Sequence, residues 1–144
     1  MAVNNLAFTK VVDDWVSATE QRMTAVFRQS SQRVINAALD GVPIDLGFAH
    51  NSGVASLESM PPIDPSATNK EKAVVPFTSF GEITAVISGA QLGQTIYFGF
   101  TAAYILPLEY GHSKQAPAGF VRLAAEQWPA IVADVTAEAK SRAG

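Results

Sequence analysis

The sequence predicts an α+β fold, and three observations carry that expectation: helical spacing of apolar residues over a long N-terminal stretch, the same spacing near the C-terminus, and between them a charge-free stretch rich in β-branched and aromatic residues. With 144 residues there is room for one domain, 1–144, built around one core.

The first element is a long helix over 8–40. Val12, Trp15, Thr19, Met23, Val26, Ser30, Val34 and Ala37 recur at steps of three and four, while Lys10, Asp13, Asp14, Glu20, Gln21, Arg28 and Gln32 fall mostly elsewhere. Asp40-Gly41 followed by Pro43 supplies the stop. Such a helix runs more than ~40 Å at ~1.5 Å per residue, longer than a compact domain of this size usually contains, and reads either as a bent core helix or as one that also packs on a neighbouring subunit.

Residues 41–76 turn to Pro, Gly, Ser and Asn, with Met60-Pro61-Pro62 and Asp64-Pro65 forcing turn or extended geometry. Loops longer than ~12–15 residues are uncommon in compact domains, so this segment is expected to be an arm that orders on assembly. The next segment, 77–111, is expected to hold a β-hairpin. No charged side chain occurs between Ile83 and Leu108, but Thr84, Ser88, Gln91, Gln94, Thr95 and Thr101 argue against a membrane span, and Gly89 and Gly93 offer a turn. On this reading Ile83, Ala85 and Ile87 line one face of a first strand, and Ile96, Phe98 and Phe100 one face of a second. The opposite faces, which include Thr84, Val86, Thr95 and Tyr97, also lack charge, as a surface covered by a partner would. The last element, 117–142, is a helix with Val121, Ala124, Ala125, Trp128, Val132, Val135 and Ala139 on one side and an expected kink or restart at Pro129.

Composition narrows the function classes. Hydrophobic residues make up 48% and charged residues 16%, against ~25% charged in an average soluble domain. That balance favours stable protein–protein contact. A net charge of −3 with ten dispersed Lys and Arg provides no basic stripe, so no sequence-specific nucleic-acid binding is expected. The chain has no cysteine, which removes thiol catalysis and disulfides and fits a reducing compartment, and its first residues lack a signal-peptide pattern.

Candidate chemistry is sparse, and no catalytic, cofactor-binding or metal residue is expected. Glu109 and His112 have a Glu-x-x-His spacing, but one copy interrupted by Gly111 falls short of a di-metal set. Asp45, His50 and Ser52 supply the residue types of a hydrolytic triad without a nucleophile elbow, so turn chemistry is the favoured reading. A small hydrolase using His50 or His112 stands as the alternative of another class, testable by replacing both histidines. The glycines at 81, 89, 93, 99 and 111 match no phosphate-binding loop. Tyr97, Tyr104, Tyr110, Phe98 and Phe100 lack the interleaved cations of a base-stacking platform and read as core or interface aromatics.

Three short segments carry a resemblance. Pro43-Ile44-Asp45-Leu46-Gly47 with Asn51-Ser52, then Ala102-Ala103-Tyr104-Ile105-Leu106-Pro107-Leu108-Glu109-Tyr110-Gly111, then Pro117-Ala118-Gly119-Phe120-Val121, resemble in order and spacing the motifs of the head-tail joining family of long-tailed bacteriophages, its neck or tail-completion proteins. One departure is that Phe48-Ala49-His50 stand where the family often has a basic residue. The resemblance implies an α+β fold with the helices packed on a small antiparallel sheet, no catalytic residues, and a homo-oligomeric ring of six subunits in the virion neck. It also implies head-closure or adaptor proteins and tail-terminator or tail-tube proteins as partners, no membrane, assembly in the host cytoplasm, and at most passive contact of the 41–76 arm with DNA in the channel. Asp45, Gly47, Ser52, Tyr97, Tyr104, Glu109, Tyr110 and Gly111 are the candidate interface or motif residues, with Tyr104, Glu109 and Tyr110 expected to position a strand and a turn at Gly111. A tail-terminator ring is the neighbouring alternative: losing a terminator leaves tails of uncontrolled length, whereas losing a completion protein leaves normal tails that fail to join heads.

Overall fold

The computed structural model describes residues 2–42, 47–68, 80–110 and 119–143 and shows an α+β fold. Helix α1 spans Ala2–Gly41 and carries the expected long helix several residues further toward the N-terminus. A 3-10 turn at His50–Ser52 leads into β1, Gly53–Ser56. Then follow α2 (Gly81–Gly89), β2 (Tyr97–Phe100), α3 (Ile105–Glu109), α4 (Val121–Glu126) and α5 (Trp128–Ala143).

The sheet has two antiparallel strands, with Gly53 opposite Phe100 and Ser56 opposite Tyr97. This corrects the expected hairpin. The second expected strand is β2, with Phe98 and Phe100 in or against the core, but the first is helix α2, and the partner of β2 comes from the expected arm. Ile83 and Ile87 are spaced for a strand face and equally for one helical turn. The structure buries both and leaves Ala85 exposed, which only the helix permits.

The described part of the 41–76 segment therefore closes onto the fold. Beyond β1, the amide of Asp64 donates to the Thr101 carbonyl (2.9 Å), and the amide of Ala103 donates to the Ala67 carbonyl (3.0 Å), so the chain runs back along the end of β2. The carboxylate of Asp64 accepts from the Ser66 amide at 2.9 Å and the Ser66 hydroxyl at 2.7 Å, which sets the Asp64-Pro65 turn. Gly99 makes the crossing possible: a Cβ there would meet the Met60 methyl at 2.9 Å.

The C-terminal helical region restarts beside Pro129. It divides at Gln127 into α4 and α5, which places Pro129 in the first turn of α5, where its missing amide interrupts no helical bond. Residues 117 and 118, the expected start, lie outside the described set.

The core gathers Ile35, Ala38, Leu39 and Val42 from the end of α1 with Ile83 and Ile87 of α2, Phe100 of β2, Ile105 of α3, and Phe120 and Ala124 around α4. Helix α5 lies against α1, with Val135 fully buried and an Arg33–Glu138 ion pair (2.6 Å) at the edge. That pair is exposed and adds little to stability.

Ser30 on α1 is fully buried, and among the described residues its hydroxyl has no hydrogen-bond partner. An unsatisfied buried hydroxyl is unfavourable, whereas a methyl of similar size is not. Ser30→Ala is accordingly expected to be neutral or to stabilise by up to ~1 kcal/mol in urea denaturation; a loss of stability would show that the hydroxyl has an unseen partner.

Candidate assembly interface

Three places bear on assembly, two of them holding described candidate motif residues. Around the 3-10 turn, Gly47 has φ 85°, a conformation that favours glycine, and its carbonyl accepts from the Asn51 amide at 3.0 Å. The Ser52 hydroxyl donates to the Ala49 carbonyl at 2.7 Å, while the Ser52 carbonyl accepts both the amide (3.0 Å) and the hydroxyl (3.1 Å) of Thr101. Ser52 thus ties the turn to the end of β2. The His50 ring is buried, edge-on to Phe80 with centroids 5.1 Å apart, and its Nδ1 lies 3.4 Å from Asn51 Oδ1. This is the arrangement of a packed turn, with the serine proton directed to a backbone carbonyl. Asp45, Gly111 and His112 lie outside the described residues.

The second place is α3, where a strand-to-loop segment was expected. Tyr104 caps its start and stacks on Phe48 with centroids 6.0 Å apart, and Tyr110 follows its end, 75% exposed. Tyr97 is half-buried on β2, opposite Ser56 of β1. Glu109 does something the sequence reading missed. One carboxylate oxygen accepts from the amides of Phe120 (3.0 Å) and Val121 (2.8 Å), and the other from the amide of Arg122 (3.0 Å). A helix begins with unpaired N–H groups, and here a carboxylate from another element satisfies three of them. Burial pushes the Glu109 carboxyl up, but the three amides and the nearby Arg122 charge outweigh it and hold the group below the usual carboxylate range. Gly119, at φ 89°, completes the clamp, because a Cβ there would fall 2.8 Å from both the carbonyl and a carboxylate oxygen of Glu109. The motif segments 102–111 and 117–121 are thus joined through Glu109 of the first and the amides of Phe120 and Val121 of the second.

The third place is the N-terminal half of α1, which no motif marks. Every residue from Leu6 to Ser17 is exposed, and among the described side chains the first buried one is Ser30. Leu6 (74%), Phe8 (69%) and Trp15 (67%) are among the most exposed large apolar residues of the protein. Helical spacing had flagged this face; only the fold shows that nothing within the described residues covers it.

Among the described residues, no group of three or more His, Asp or Glu is placed to hold a metal, and no helix is long and apolar enough to cross a membrane. No protein-family model, curated protein or solved structure matches the chain.

Proposed function

We propose that the chain is a non-catalytic structural subunit that assembles with copies of itself into a ring in the neck of a tailed bacteriophage, where it completes the tail and joins it to the head. The observation that carries self-assembly is the half-helix from Leu6 to Ser17. It exposes Leu6, Phe8, Val11 and Trp15 on an element continuous with the core, and a soluble monomer rarely leaves so large an apolar surface in water. The virion assignment rests on the three ordered motif segments, two of which the Glu109 clamp makes structurally dependent on one another.

The reading is tested by native mass spectrometry and negative-stain imaging of the full chain, alone and mixed with purified tails. A ring, free or seated on the tail end, is the expected result. A strict monomer at high concentration that also fails to bind tails would overturn it.

A further inference from the structure

The stripe on the N-terminal half of α1 has a counterpart elsewhere on the same chain. Between the later turns of α1 and helix α5 lies an open groove of about 560 Å³, walled by Met23, Val26, Phe27, Trp128, Val132 and Thr136, with Leu92 at one edge. The charged residues lining it are Arg22 and Lys140, and those lining the adjoining hollow are Arg22, Arg28 and Arg142. The projecting half-helix carries Asp13, Asp14 and Glu20 against Lys10. The half-helix as a whole therefore carries net negative charge, on the sides away from its apolar stripe, and the groove lining carries net positive charge, so the two elements attract one another.

A chain cannot fill its own groove with its own stripe. Helix α1 is continuous from Ala2 to Gly41, and the groove is built on its later turns, so the N-terminal half points away along the same axis. Among the described residues no segment of the same chain fills the groove, and the half-helix of a second copy matches it in both polarity and charge. Phe8, Val11, Val12, Trp15 and Val16 are all exposed along this half-helix and together offer the groove a continuous apolar face.

We propose that the N-terminal half of α1 docks into the α1/α5 groove of a second copy, with Trp15 as the central anchor. This is helix-in-groove recognition, read as anchors at Phe8, Val12, Trp15 and Thr19. Repeated one way around, the contact closes a ring; made reciprocally by two copies, it closes a pair. It rests on the self-assembly proposed above in requiring a second copy, but the number of subunits decides the ring reading separately.

The native chain has no cysteine, so two single-cysteine variants of the full protein, Trp15→Cys and Thr136→Cys, report the contact directly when mixed and oxidised. The expected result is a mixed disulfide formed about ten-fold faster than in a control pairing Thr136→Cys with Lys10→Cys, since Lys10 lies off the stripe. Equal rates, or a product dominated by Trp15→Cys joined to itself, would overturn the proposal. As a second arm, Val12→Glu with Trp15→Glu alters only exposed positions, so helix content by circular dichroism should stay unchanged while association by sedimentation weakens at least about ten-fold. Unchanged association, or a wild-type chain that stays monomeric at several hundred micromolar, would also overturn it. A dimer linked through residues 15 and 136 would support the contact and overturn the ring; a larger closed assembly so linked would support both.

Discussion

Phe120→Ala is expected to cost about 3–5 kcal/mol of folding stability, the range for removing a fully buried phenylalanine from a core. The ring is 2% exposed, meets Phe100 edge-on with centroids 5.4 Å apart, and its Cβ stands beside Gly41 at the end of α1. It therefore touches the long helix and the sheet at once, while its amide is held by Glu109. Truncation leaves a cavity where these elements meet, and they cannot all collapse into it. Urea denaturation followed by far-ultraviolet circular dichroism checks the figure. A loss below about 1 kcal/mol would mean that the core closes around the gap and that Phe120 is not its centre.

Glu109→Ala is expected to destabilise by about 2–3 kcal/mol, because one substitution removes a charged acceptor from three backbone donors, and Phe120 beside them is buried. Glu109→Gln keeps one acceptor oxygen and should lie between the variant and wild type. Gly119→Ala attacks the same clamp from the other side by driving a methyl into Glu109, so its effect combined with Glu109→Ala should fall short of the sum. Additive losses would show the two residues acting independently. The clamp also predicts a direction in pH. The folded-state carboxyl lies below its ordinary value, so its contribution is fully present above the ordinary glutamate range and is lost as pH falls through the depressed value. Wild type should therefore lose stability on acidification more steeply than Glu109→Gln, and parallel pH profiles for the two would contradict the clamp.

Much of the architecture was legible in the residues because it rests on local patterns. The three- and four-residue spacing over 8–40 could only be a long helix, and Ile96, Phe98 and Phe100 could only line one side of a strand. Ile83 and Ile87 were ambiguous, because residues four apart share a face in a strand and in a helix alike, and no charge nearby broke the tie. The partner of β2 was misplaced for a related reason. Gly53–Ser56 is four residues long and sits in a polar segment, too short for its own periodicity to stand out; its pairing is decided by what β2 offers across the fold. Pro129 signalled a break correctly, but an interruption near a proline can fall ahead of it, leaving the proline in the first turn of the next helix.

By itself, the sequence determined the α+β class, the long first helix, the broken last helix and the low surface charge, because each depends on residue type and spacing along the chain. Only the tertiary structure decided that the carboxylate of Glu109 closes the start of α4, that the polar segment after α1 supplies a strand, and that the first half of α1 stands clear of the core while a groove of matching polarity opens beside its second half. These are relations between residues distant in the chain, and they are settled by which surfaces meet once the core around Phe120 has formed.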